Sequence, residues 1–152
     1  MANLGYETYR SEWLDHTDLK DTVAELCVGD TLVLPSGRSP LGDVRADVDA
    51  TVAPDIIADL KHPPFKHQSF DTVYCDPPYS MFDFGKSTEW VKELYKIARK
   101  RLIIQGVNKK ISVGMPADTE LYLLNPKSGS SKHWIRTLQV FTRPDAPLST
   151  FS

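Results

Sequence analysis

The amino-acid sequence predicts an α/β domain built on a mostly parallel, seven-stranded sheet. Three observations predict it. Short apolar runs suited to buried strands recur along the chain, among them Thr31–Leu34, Ser69–Cys75 and Arg101–Gln105. A segment with helical periodicity, Glu89–Lys100, stands between two of these runs, as a strand–helix–strand unit requires. A glycine- and proline-rich loop, 35–42, and a loop with two prolines, 76–79, follow the runs directly.

The elements follow in order. Asp18 reads as an N-cap for a helix over Leu19–Leu26, whose apolar positions Leu19, Val23 and Leu26 have helical spacing, and Gly29-Asp30 ends it. Thr31–Leu34 is the first strand, Val44–Val48 the second and Asp55–Leu60 the third. Ser69–Cys75 is the fourth, after a loop holding Pro63 and Pro64. Ser87 or Thr88 caps the helix over Glu89–Lys100, which carries an apolar stripe of Trp90, Val91, Leu94, Ile97 and Ala98. Arg101–Gln105 is the fifth strand. Glu120–Leu124 and Trp134–Thr142 complete the sheet, joined by the polar loop 125–133. In such sheets ligands bind beyond the carboxyl ends of the strands. Three loops fall there: 35–42, the end of 44–49, and 76–79.

At 152 residues the chain predicts one domain over 18–152 and an N-terminal arm over 1–17 that is either packed on the domain or a partner surface. The net charge of −2 does not advertise a nucleic-acid binder, so such contacts would come from local basic patches. The two cysteines, Cys27 and Cys75, form neither a metal pattern nor a disulfide framework. No signal peptide and no membrane-length apolar run is visible, and a cytoplasmic protein is expected.

The strongest chemical signal is Asp76-Pro77-Pro78-Tyr79, directly after a buried strand. Two prolines fix two φ angles and remove two donors, which holds the loop extended with its carbonyls exposed. A carboxylate and a fixed carbonyl together accept both hydrogens of an –NH2 group, and the tyrosine ring offers a flat face for a base. Accepting those hydrogens favours a pyramidal nitrogen with a free lone pair, which stabilises the transition state for attack on an electrophile.

These residues resemble the catalytic motif of amino-methyltransferases acting on adenine or cytosine, a motif shared with enzymes that methylate guanine amines in RNA and glutamine amides in proteins. Val33–Gly42 resembles a shortened cofactor loop of class I methyltransferases. Asp43–Asp49 resembles the strand with the ribose-binding acid, and Ile56–Leu60 with Pro64-Phe65 resembles the adenine-holding stretch. The resemblance covers about residues 30–106. It implies a Rossmann-like class I methyltransferase fold, with helices reduced near the cofactor loop, and S-adenosylmethionine as cofactor. It implies that Gly37 admits the methionine part, that Asp47 or else Asp49 accepts the ribose hydroxyls, and that Asp59 accepts from the adenine amino group. Pro35, Ser36, Leu60 and Asp76 are also placed around the cofactor. Asp76, Pro77, Pro78 and Tyr79 become the catalytic residues, and no metal is implied.

The sequence departs from that family in one place. The usual Gly-x-Gly loop is replaced by Ser36-Gly37-Arg38-Ser39, and Leu34 to Val44 is shorter than the dozen residues a crossover usually takes. The helix after the first strand is therefore expected to be lost or reduced to a turn, leaving cofactor binding weak or completed by Arg38 or another subunit.

Other clusters are weaker. His16, His62, His67 and His133 lack metal-like spacing. Arg99-Lys100-Arg101 with Lys109-Lys110 reads as a solvated helix end more readily than as a phosphate site. The loop 127–134 mixes cations, hydroxyls and Trp134, and Lys86 could reach the substrate loop. Phe82 and Phe84 wall a base pocket or close the core.

The function expected is methylation of an exocyclic amino nitrogen on adenine or cytosine, in DNA sooner than RNA. A partner subunit or a second copy would supply target recognition, since no room remains for a separate recognition domain. A methyltransferase for RNA or protein amides, and a non-catalytic binding domain that kept the fold, are the alternatives.

Overall fold

Side-chain alternation along the central strands decides the layers. In β5 (Phe70–Cys75) Val73 and Cys75 face one side of the sheet and Tyr74 the other; in β2 (Thr31–Val33) Leu32 and Val33 divide the same way. Both faces are covered, which is why these strands read as continuous apolar runs rather than alternating ones. The computed structural model describes residues 9–14, 19–78, 81, 89–107, 111–124 and 136–144.

One sheet of eight strands runs through the described residues, in the order β1-β7-β8-β6-β5-β2-β3-β4. The remaining strands are β1 (Tyr9–Leu14), β3 (Val44–Asp47), β4 (Ile56–Ile57), β6 (Ala98–Val107), β7 (Asp118–Leu124) and β8 (Arg136–Thr142). Only β8 is antiparallel to its neighbours, β6 and β7; every other pairing is parallel. All seven expected strands are present. The eighth, β1, comes from the stretch expected as an arm and pairs along β7 from Tyr9↔Thr119 to Leu14↔Leu124.

Helix α1 (Leu19–Leu26) is found at the predicted bounds, while Asp18 lies outside the described residues. It covers the face that carries Val33, Tyr74 and Ile103 through Val23 and Leu26. Helix α2 (Glu89–Ile97) covers the opposite face with Trp90, Val91, Leu94, Tyr95 and Ile97. Each such apolar side chain contributes about 1.5–3 kcal/mol by burial, so Leu94→Ala alone would cost about 2–5 kcal/mol.

Two expected boundaries move, each for a visible reason. The helix over Glu89–Lys100 ends at Ile97, because Ala98 pairs with Phe70 and opens β6. Arg143 takes the freed carbonyls: its Nε donates to Ala98 O at 2.8 Å, its Nη2 to Tyr95 O at 2.9 Å, and its N to Lys100 O at 2.8 Å. The basic run 99–101 is therefore a strand start and not a helix end. Arg99 Nε pairs with Asp71 Oδ1 at 2.9 Å, and Arg101 is buried with Nη1 donating to Leu26 O at 3.1 Å. The strand expected over Asp55–Leu60 keeps only Ile56–Ile57, since Asp59 turns the chain by accepting Lys61 N on Oδ1 at 2.9 Å and His62 N on its carbonyl at 3.0 Å.

The order in which parallel strands are added reverses at β2. From β2 the chain adds β3 and β4 on one side, then returns to place β5 and β6 on the other. A crevice forms at such a switch point, above the carboxyl ends of β2 and β5.

Candidate functional site

The crevice holds a cavity of about 770 Å³. Its walls are the loops after β2, β3, β4 and β5. Pro35, Ser36, Gly37, Asp47, Asp59 and Leu60 border it from the first three loops, and Asp76, Pro77 and Pro78 from the fourth. The structure thus brings together every expected site residue except two. Asp49 is not part of the lining, and Tyr79 lies outside the described residues.

The loop after β2 crosses to β3 in ten residues, 34–43, with no helix among them. Gly42 makes the short return possible: at φ 99° a Cβ there would stand 2.5 Å from Val33 Cγ2. Gly37, at φ 53°, occupies the left-handed region, and a Cβ on it would meet nothing within 4 Å. The space in front of the Gly37 Cα is therefore open to a ligand, although its N–H and carbonyl are already bonded. Ser36 is buried and ties the loop to β3 through its N–H to Ala46 O at 2.9 Å.

Asp47 ends β3 and is buried, at 7% exposure. Its Oδ2 accepts Gly37 N at 2.8 Å and its Oδ1 accepts Asp49 N at 3.0 Å. A carboxylate has about four acceptor positions, so two remain for hydroxyls in the cavity. Asp49 instead caps the 3-10 turn Ala50–Val52 with Oδ1 on Thr51 N and Oγ1, at 2.9 and 2.6 Å. The Thr51 hydroxyl, then its N–H, hold the Asp49 carboxyl below the usual range. The choice between these two acids is geometric, and Asp47 is the one at the cavity. Arg38 is exposed and not among the lining residues.

On the far wall β5 ends at Cys75, and Asp76 is exposed while Pro77 is buried beneath it. Pro78 O accepts Met81 N at 3.0 Å, which turns the chain after the prolines. Tyr74 borders the same cavity; its hydroxyl accepts Gln105 Nε2 at 3.1 Å, and burial, then the Asp76 charge, push the phenol well above its ordinary range. Neither cysteine is a nucleophile at neutral pH, since burial pushes Cys27 up to about 11 and Cys75 well above its ordinary value.

Sequence reasoning missed several lining residues. Val48 is 67% exposed and gives the cavity an apolar wall beside Asp47; its signal was an apolar residue just past a strand-ending acid. Lys61 places a cation beside Asp59, and Met81 closes the side after the prolines. Arg45, which does not line the cavity but donates to Gly37 O and Ser39 O behind it, carried no signal at all. Phe82, Phe84, Lys86, Lys109, Lys110 and the loop 127–134 lie outside the described residues, as do His16 and His133.

No family model and no curated protein matches the chain. Solved structures do. A magnesium protoporphyrin IX methyltransferase from Synechocystis, solved with bound S-adenosylmethionine, superposes with a TM-score of 0.53 at 14% identity, over 84% of this chain and 80% of that one. The fold is that of a class I methyltransferase. An S-adenosylmethionine-dependent methyltransferase from Thermotoga maritima, a possible histamine N-methyltransferase, gives a TM-score of 0.49 at 15% identity, over 79% of this chain and 88% of that one. Within the class I methyltransferase fold, the short crossover 34–43 fulfils the expectation of a lost helix after the first central strand.

Proposed function

We propose that the chain is an S-adenosylmethionine-dependent methyltransferase acting on the exocyclic amino nitrogen of a nucleic-acid base, adenine N6 or cytosine N4, with DNA the favoured acceptor. One observation carries the reading. The glycine loop, Asp47 and Asp59 share a single cavity with Asp76-Pro77-Pro78. Its volume of about 770 Å³ lies within the range of about 300–1,000 Å³ typical of ligand pockets.

The residues present fit the cofactor. Gly37 leaves open space for a methionine part, Asp47 keeps acceptor capacity for ribose hydroxyls, and Val48 offers an apolar surface to a flat ring. Asp47, Asp59 and Asp76 outnumber Lys61 among the charged lining residues, which favours a cationic ligand. When bound, S-adenosylmethionine supplies an electrophilic methyl group on a positively charged sulfur.

The chain's own residues then do the rest. Asp76 and the Pro77 carbonyl accept the two amine hydrogens, which frees the nitrogen lone pair and orients it. The nitrogen is cationic after transfer, and the Asp76 carboxylate is the nearby acceptor for its proton. A base in a duplex has to leave the stack to reach this site. Tyr79, next in sequence after Pro78, supplies the stacking face.

The test pairs calorimetry with methyl transfer. S-adenosylmethionine should bind the wild-type chain, bind much more weakly after Asp47→Ala or Asp59→Ala, and bind Asp76→Ala nearly as well. Labelled methyl should pass to DNA with wild type and not with Asp76→Ala. Transfer only to RNA or to a protein amide would move the acceptor class. Binding to a nucleic acid that persists in Asp76→Ala, with no transfer by either form, would replace the enzyme with a binding module.

A further inference from the structure

We propose that Arg45 is the positioning residue of the cofactor loop, taking over the task of the helix that this chain lacks after β2. The inference rests on the reading of the cavity as a cofactor site. A helix after a strand orders the preceding loop by engaging its peptide groups in backbone bonds. Residues 34–43 have no such helix.

Packing holds the loop at Leu34, which is fully buried, and at Leu41, but not along the stretch between them. The 770 Å³ cavity lies in front of it, and a second, more apolar cavity of about 410 Å³ lies behind it, walled by Ser39, Pro40 and Leu41 against Val23 and Tyr74. The loop is a partition between two spaces. Its backbone bonds to the rest of the domain lie at its ends: Leu34 N to Tyr74 O at 3.1 Å, Ser36 N to Ala46 O at 2.9 Å and Asp43 N to Thr31 O at 2.9 Å.

In the middle, Asp47 takes the Gly37 N–H and Arg45 takes the carbonyls. Arg45 Nε donates to Ser39 O at 2.6 Å and its Nη2 to Gly37 O at 2.8 Å. The same fork reaches the turn after β3, with Nη1 on Ala53 O at 3.0 Å and Nη2 on Val52 O at 3.3 Å. Four carbonyls from two loops thus converge on one planar guanidinium, whose rigid donor fork a lysine cannot reproduce. The base of the side chain is fixed as well, because Arg45 N donates to Asp55 Oδ2 at 2.8 Å and Arg45 O accepts Asp55 N at 2.8 Å.

The test combines hydrogen exchange with calorimetry on wild type, Arg45→Met and Arg45→Lys. Met keeps an apolar stem and removes the fork; Lys keeps the charge. In both variants amide exchange over 36–42 and 50–53 should accelerate at least tenfold, with β5, β6 and α2 unchanged. S-adenosylmethionine binding should weaken at least tenfold while the thermal midpoint falls by only a few degrees. Binding within twofold of wild type in both variants, despite a loosened loop, would make Arg45 a structural residue only and overturn the proposal. Unchanged loop protection would overturn it too. Failure of wild type itself to bind S-adenosylmethionine would sink the cofactor reading instead, and the exchange pattern would still decide whether Arg45 holds the loop.

Discussion

Arg45 and Asp47, two residues apart on β3, hold one glycine by its two backbone poles. Arg45 Nη2 donates to Gly37 O and Asp47 Oδ2 accepts Gly37 N, both at 2.8 Å. Residues i and i+2 of a strand share a face, so the pair reaches the neighbouring loop from one edge of β3. The carboxylate that borders the cavity also builds the cavity's front wall.

Gly37 is the first consequence. At φ 53° an alanine is strained by about 1–2 kcal/mol, although its Cβ has open space. Gly37→Ala should therefore fold, lose about 1–2 kcal/mol in urea titration, and lose cofactor affinity by more than that energy alone accounts for, because the methyl projects from the open loop face.

Asp47 and Asp49 should separate cleanly. Asp47→Asn replaces a charged acceptor of two N–H groups with an amide that can satisfy one of them; hydrogen bonds to charged groups contribute about 1.5–3 kcal/mol each. Both stability and cofactor binding should fall. Asp49→Ala removes the cap of an exposed turn and should leave the cofactor dissociation constant within about twofold. Equal losses in the two variants, measured by calorimetry, would put Asp49 back among the ligands.

Asp71 links stability to pH. Arg99 first, through its hydrogen bond, and then the Asp30 N–H hold its carboxyl below the ordinary value. A depressed folded value means stability that is present above the unfolded carboxyl value, about 3.9, and lost as pH falls through the folded one. The advantage of wild type over Asp71→Asn should be about 1–2 kcal/mol at pH 6, given the partial exposure of Arg99. It should shrink steadily below pH 4. A constant difference from pH 6 to pH 2 in urea titrations would refute the linkage.

Gln139 holds a segment that has no element of its own. Its buried amide accepts Ile111 N on Oε1 at 2.7 Å and donates Nε2 to Ile111 O at 3.1 Å, which docks 111–117 on the sheet. Gln139→Leu keeps the volume and orphans both backbone groups, at about 1–3 kcal/mol each. For a chain of this size the thermal midpoint should fall by roughly 5–15 °C.

What the sequence revealed follows from which physics is local. Apolar runs and the spacing of Trp90, Val91 and Leu94 report burial directly, so seven strands and both helices were legible. Strand β1 was not, because an edge strand can be held by backbone pairing alone and residues 10–12 are polar. Asp76-Pro77-Pro78 announced itself because prolines constrain their own backbone. Arg45 did not, because its role depends on four carbonyls that meet only once the chain has folded. The end of α2 at Ile97 was hidden for the same reason: the residue that caps it, Arg143, is far along the chain.

Pro77 is the sharpest probe of the acceptor side. It is buried under the exposed Asp76, and its ring fixes the φ angle that aims the carbonyl. Pro77→Ala keeps the carbonyl and frees its direction. Misplacement by about 1 Å can cost on the order of 10²-fold in rate. Turnover should therefore fall by roughly 10–100-fold, while cofactor affinity, proposed to depend on Gly37 and Asp47 on the opposite wall, stays within about threefold. Steady-state rates read with calorimetry on one protein sample separate the two. A loss confined to cofactor affinity would mean that Pro77 shapes the cofactor wall, and that the amine is oriented by Asp76 alone.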